Sequence, residues 1–265
     1  MSIDVHTVTL SKGSTGFSRQ DRVTLGALTA LAYPAGNGDP SAPAAGTPGV
    51  GYQTIPTVAY ANAGSGSGAT DTALMGVVAV PTIAAAGTGG SNGAVTLTGT
   101  TGTGTKFQLT GTIAGGVLTA ISAIAVAGSY SAMPSTLTAE PVTGGSLTGC
   151  TVNLSAAMGV IGYASVGGSS NHQYPQGTTA TLSGGTPTTA AVPGAVTVTP
   201  VAGQGSLVNV TGLTLPTNFG VQLTPAADVV ANVTGKSNAG FTVNINPRLA
   251  ASTLAAGTVD VLIIH

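Results

Sequence analysis

GVGYQTIPTV (residues 49–58) and AGSYSAMPSTL (residues 127–137) build the same small object twice. In the first, Tyr52 follows a glycine and precedes Pro56 by four residues; in the second, Tyr130 stands in the same relation to Pro134. The likeness continues past them. GSGSGATDTALMGVV (64–78) and GGSLTGCTVNLSAAMGVI (144–161) each run from a Gly-rich turn through Gly-Ala-Thr or Gly-Cys-Thr to Met-Gly-Val. A weaker third start lies at Tyr174, in HQYPQGTTATLSGGT. Repetition over such a span predicts stacked or tandem β-units. A glycine before the tyrosine permits positive φ at a turn, and a proline opens a strand or sits where no amide donor is needed. The ring can close the end of a small β-core while its hydroxyl meets water or backbone. Packing is therefore the expected role of Tyr52 and Tyr130, with ligand binding as the alternative.

Composition bounds the rest. Charged residues make up 5% of the 265 residues, and the 41 glycines and 15 prolines follow no Gly-X-Y period, which excludes collagen. An apolar fraction of 42% at net charge −1 argues against disorder. So weakly charged a surface favours self-contact, and the reading is that partner subunits cover much of it. Six lysines and arginines cannot neutralise a nucleic-acid backbone, so nucleic acid is not an expected partner. MSIDVHTVTLSKG lacks the basic and apolar regions of a signal peptide, and no run of about 18 apolar residues predicts a membrane helix. Cys150 is the single cysteine, so no intrachain disulfide can form. The sequons at Asn153, Asn209 and Asn232 carry no weight without a secretion signal.

Charge divides the chain into three. Asp4, Lys12, Arg19, Asp21, Arg22 and Asp39 crowd the first 39 residues, residues 40–205 hold only Asp71, Lys106 and Glu140, and Asp228, Lys236, Arg248 and Asp260 lie beyond. The reading is an N-terminal docking arm and linker (1–48), a Gly/Thr-rich repeat β-region (49–202) and a C-terminal β-sandwich (203–265). IDVHTVTL reads as a strand, VTLGALTALAY as a strand or short helix, and YPAGNGDPSAPAAGTPG (33–49) as a linker interrupted by proline and glycine. Alternating Thr/Val stretches such as GAVTLTGTTGTGTKFQLTGTI (93–113) carry period two, the strand signal. In the last region KSNAG reads as a turn, FTVNIN as the strand after it, and VDVLII as a core strand. The fold class expected is all-β, in tandem small sandwich or barrel units with an extended N-terminal arm.

Catalytic patterns are sparse. His6, His172 and His265 have no second ligand at metal spacing, so no metal or cofactor is expected. Asp71 and Glu140 sit at different offsets from their repeat tyrosines and form no obvious acid pair. No nucleophile elbow or phosphate-binding loop has the required context, and the chain reads as a non-enzyme. Asn218, Phe219 and Asp228 are the candidates for a sugar contact in the C-terminal loops; their plainer reading is turn residues beside a core phenylalanine. The Thr-x-Thr run TLTGTTGTGT raises an ice-binding surface, but its ladder does not persist.

The Gly, Tyr-x-x-x-Pro, Gly-[Ala/Cys]-Thr units, followed by VQLTPAADVVANVTGKSNAGFTVNIN and AGTVDVLII, resemble structural proteins of tailed-bacteriophage virions over residues 49–265. The resemblance implies a capsid decoration or head-fibre protein held on the major capsid protein lattice, assembled in host cytoplasm and self-associating, trimers being common. Val5, Val8, Leu10, Lys12, Phe17, Arg19 and Arg22 would then supply the docking contacts. A tail fibre or baseplate appendage with a glycan-binding C-terminal domain is the alternative.

Overall fold

The computed structural model describes residues 7–9, 22–24, 29–62, 64–167 and 171–264. Among them the chain is all-β, with no helix. In chain order, the first strands are β1 (Thr7–Thr9), β2 (Arg22–Thr24), β3 (Thr29–Tyr33) and β4 (Gly38–Pro40). Then come β5 (Thr57–Ala61), β6 (Thr70–Val77), β7 (Thr82–Thr88), β8 (Gly93–Gly99), β9 (Thr103–Thr105), β10 (Gln108–Ala114), β11 (Val117–Val126) and β12 (Ser129–Ala132). They are followed by β13 (Glu140–Thr143), β14 (Thr148–Asn153), β15 (Met158–Gly167) and β16 (Thr179–Ser183). The last are β17 (Val198–Pro200), β18 (Ser206–Val210), β19 (Gly220–Pro225), β20 (Val229–Ser237), β21 (Gly240–Pro247) and β22 (Gly257–Ile264).

The compact units do not divide at residues 48 and 202. One unit takes the described residues up to Asp39, the segment His172–Gln176 and the residues from Val198 onward; the other takes Pro40–Asn171 and Gly177–Thr197. The difference begins at β3. Its residues pair along β22, Tyr33 opposite Gly257 and Leu31 opposite Val259, and Tyr33 is buried among Phe241, Val259 and Leu254. VTLGALTALAY thus contributes a sandwich strand from Thr29 on, where alternation places Leu31 and Tyr33 on the core side and exposes Ala30 and Ala32.

The stretch expected to be a linker is held by its backbone. Gly36 N–H donates to Leu254 O and Asn37 N–H to Gly205 O, both at 2.9 Å. Within the other unit, Thr47 N–H donates to Val192 O at 3.0 Å and Ala44 N–H to Ala195 O at 2.9 Å. Proline and glycine break regular ladders, but isolated amides can still find distant carbonyls.

The sandwich unit packs the three-stranded sheet β18-β21-β20 on the three-stranded sheet β19-β22-β3. Period-two alternation turns Phe241, Val243 and Ile245 of β21 and Val259 and Val261 of β22 inward. VDVLII is the central strand of its sheet, as its apolarity requires.

The larger unit is a duplication whose halves have exchanged strands. β16-β5-β6 carries β15 beside β6, while the second sheet contains β8-β13-β14-β7. Thus β7, from the first copy, pairs with β14 of the second, and β15, from the second, pairs with β6 of the first. The two Met-Gly-Val segments lie antiparallel on one another: Met75 opposite Val160, Gly76 opposite Gly159, Val77 opposite Met158. This is a local two-fold axis passing between Gly76 and Gly159. It holds beyond the ladder, since Val77 N–H donates to Ala127 O and Val160 N–H to Pro48 O, each at 2.8 Å. Backbone approach requires glycine at 159, where a Cβ would lie 2.7 Å from Gly49 O, and leaves little room at Gly76, where one would lie 3.1 Å from Gly128 O and 2.8 Å from the Ile161 side chain. The β10–β11 hairpin breaks the symmetry, because residues 184–197, which follow β16, form no hairpin. β11 and β7, the ends of their sheet, approach each other and curl it toward a barrel. Tyr174 is not a third copy; it belongs to the sandwich unit, where its backbone exchanges two hydrogen bonds with Gly38.

Candidate functional site

The repeat tyrosines serve packing. Tyr52 and Tyr130 are fully buried, and their hydroxyls accept backbone N–H groups from corresponding loops: Ala191 N–H at 2.8 Å for Tyr52 and Phe107 N–H at 3.0 Å for Tyr130. Each ring lies on a glycine with positive φ, Gly185 under Tyr52 and Gly102 under Tyr130, where a Cβ would come within 2.5 and 2.8 Å of the ring. Pro56 and Pro134 are buried beside them, Pro56 directly before β5.

The three charges of the middle region bind backbone or a tyrosine. Glu140 is fully buried at the start of β13, and its Oε1 accepts Thr100 N–H at 3.0 Å and Thr101 N–H at 2.8 Å, while Oε2 accepts the Thr101 hydroxyl at 2.6 Å. Lys106 donates to Thr101 O at 2.7 Å and to Gly102 O, with its ammonium 5.7 Å from the Tyr130 ring centre. Asp71 accepts the Tyr60 hydroxyl. Asp71 and Glu140 are thus engaged in separate strand contacts.

Burial pushes the Tyr130 phenol above its ordinary 10.0; the Phe107 hydrogen bond opposes this and the Glu140 charge adds to it. Burial likewise raises Tyr163, with Tyr52 adding, and the Cys150 thiol above 9.0. For each group the neutral form is favoured in the fold, so the unfolded chain loses its proton first as pH rises. Stability from these groups is complete below the ordinary thiol and phenol values and falls above them. Chemical denaturation across pH 8–11 should therefore give a stability that declines from about pH 9 upward; a flat profile would contradict the burial of these groups.

The residues singled out for a sugar contact are not brought together. Asn218 precedes β19 and Asp228 follows it, so the two lie at opposite ends of that strand. Phe219 is a core residue, its ring centre 6.2 Å from that of Phe241, and Lys236 stacks its ammonium 4.4 Å above it. Asp228 pairs with Arg248 at 2.9 Å, an exposed pair. His172 Nδ1 lies 2.8 and 2.9 Å from the two carboxylate oxygens of Asp39. Among the described residues no group of three or more His, Cys, Asp or Glu could hold a metal.

A different constellation occupies the outer face of β18-β21-β20. Alternation that turns Val208, Val210, Val233, Val243 and Ile245 inward turns Leu207, Asn209, Val230, Asn232, Thr234, Thr242, Asn244 and Asn246 outward. The register aligns them in rows: Leu207–Asn244–Asn232, then Asn209–Thr242–Thr234, with Asn246 opposite Val230. Thr242 donates to Asn209 Oδ1 and Asn244 Nδ2 to Thr234 Oγ1, both at 2.8 Å. Beside the second row a hollow of about 210 Å³ is lined by Asn209, Thr242 and Ser237 with Gly212, Gly235 and Gly240. None of the residues in these three rows is charged; the exposed Asp228–Arg248 pair stands at the next position of the same ladder, beyond Val230 and Asn246. The signal was present in VNVT, ANVT and TVNIN, where Asn and Thr alternate with Val and Ile; two of the three sequons are this pattern.

Of the proposed docking residues, Val8 and Arg22 lie in the antiparallel β1–β2 ribbon, Val8 opposite Val23 and Arg22 opposite Thr9. Val5, Leu10, Lys12, Phe17 and Arg19 lie outside the described residues. Comparison with known proteins finds no protein-family model that matches this chain, no similar curated protein and no similar solved structure.

Proposed function

We propose that this chain is a non-enzymatic structural protein of a tailed-phage virion, a capsid decoration or head-fibre protein held on the major capsid protein lattice through its N-terminal segment. The observation that carries this reading is the use of charge in the duplicated unit. Asp71, Lys106 and Glu140 are all committed to internal contacts, while β7 and β11 present Ala84, Ala85, Ala123, Ala125 and Val126 to the outside. A surface with so little charge of its own suits a protein packed in many copies against a shell. The tail-appendage reading keeps one support, the amide-rich face of the sandwich.

The test is incorporation. Particles assembled with a chain lacking residues 2–28 should lose it, while the purified variant unfolds like the parent. The deletion stops before Thr29 because β3 is a sandwich strand and Tyr33 a core residue. Unchanged incorporation would remove the N-terminal segment as the anchor; density only at the tail in electron micrographs of particles would favour the appendage.

A further inference from the structure

We infer that the outer face of β18-β21-β20 is a binding site for a neutral oligosaccharide, an inference that stands whether or not the chain belongs to a virion. Four asparagines on this face offer planar amides with a donor and an acceptor side by side, the geometry that pairs with neighbouring sugar hydroxyls. Their capacity is only partly used. Asn209 keeps its amide donors and Asn244 its carbonyl, and Asn232 and Asn246 make no side-chain hydrogen bond among the described residues. Strands spaced about 4.8 Å apart, with outward residues about 6.8 Å apart along each, let neighbouring amides reach different hydroxyls of one ring.

Charge complementarity selects the class of ligand. None of the four formally charged residues of the last region stands in the three rows: Asp228 and Arg248 adjoin the Val230–Asn246 row but pair with each other, Lys236 stacks on Phe219, and Asp260 lies on β22 of the opposite sheet. A carboxylate or sulfate on the ligand would lose water and meet only a cation already neutralised by Asp228, whereas hydroxyls exchange water for amides at little cost. Leu207 and Val230, 58% and 51% exposed, give aliphatic surface for the C–H side of a ring. The hollow beside Asn209 and Thr242 is smaller than the roughly 300–1,000 Å³ of sites for drug-sized ligands, so it fits one terminal sugar while the face holds the next.

The experiment titrates the full-length, isotopically labelled protein with maltotriose, cellotriose and chitotriose, and with trigalacturonate as the charged control, following side-chain amide resonances. At least one neutral trisaccharide should shift the amides of Asn209, Asn232, Asn244 and Asn246 saturably while that of Asn218 stays in place, and trigalacturonate should bind more weakly. Asn232→Ala with Asn244→Ala should lower the affinity about tenfold, the loss of one to two net hydrogen bonds, and leave thermal unfolding unchanged. The inference is overturned if no neutral trisaccharide saturates, if the double variant binds as the parent does, if trigalacturonate binds as well, or if the face amides are silent because a second copy covers them.

Discussion

Tyr130→Ala is expected to destabilise the duplicated unit by about 3–5 kcal/mol, the range for truncating a fully buried aromatic ring. The ring lies between two positive-φ glycines, Gly102 and Gly128, whose missing side chains leave room for it and for nothing larger. Its removal opens a cavity that these rigid loops cannot close, and leaves the buried Phe107 N–H without its acceptor. Tyr130→Phe isolates the second effect and should cost about 1–3 kcal/mol. Tyr52 is as fully buried, its ring on Gly185 and its hydroxyl accepting Ala191 N–H, so Tyr52→Ala should fall in the same range. Denaturant unfolding of the four proteins gives the answer: a loss below about 1 kcal/mol for either alanine variant would mean that the rings do not pack as described.

Glu140→Ala should be of similar size, about 3–5 kcal/mol, although the residue has no ionised partner among the described residues. Its carboxylate is the common acceptor for Thr100 N–H, Thr101 N–H and the Thr101 hydroxyl, and Thr101 Oγ1 in turn accepts Ser135 N–H at 3.0 Å. Alanine leaves these half-buried donors of the β8–β9 turn without their common acceptor and opens a cavity where the fully buried Glu140 side chain stood. Glu140→Gln separates shape from charge: it keeps an oxygen for the two amides but faces an N–H₂ toward Thr101, stranding the hydroxyl proton. Its expected loss is about 1–3 kcal/mol. Equal stability of the Gln variant and the parent would show that the carboxylate's second oxygen does no work.

Strand character was legible because Thr and Val alternate between glycines, and the repeat because Tyr-x-x-x-Pro and Met-Gly-Val recur. The pairing of the copies was not. Identical segments can stack in tandem or exchange partners, and Met-Gly-Val against Met-Gly-Val satisfies either arrangement locally; only the long-range ladders of β6 with β15 and β14 with β7 decide. Residues 33–49 misled for a related reason. Their hydrogen-bond partners Leu254, Gly205, Thr197 and Val192 lie far along the chain, and local composition carries no trace of them. Phe219 shows the opposite failure. An aromatic next to Asn218 invites a binding role, yet burial against Phe241 beneath Lys236 uses its whole surface. The Asn/Thr face was written in plain alternation, but a period of two says only which residues share a side, and the side facing away from a core is easily passed over.

The exchanged strands make the larger unit a dimer that carries its own partner. Two separate copies related by such an axis would have to remain identical, and their association would weaken on dilution. Joined in one polypeptide, the halves meet at an effective concentration that dilution cannot change, and each gene segment is free to drift from the other. The β10–β11 hairpin is what that freedom permits: an addition on one side alone, which a symmetric pair could acquire only twice.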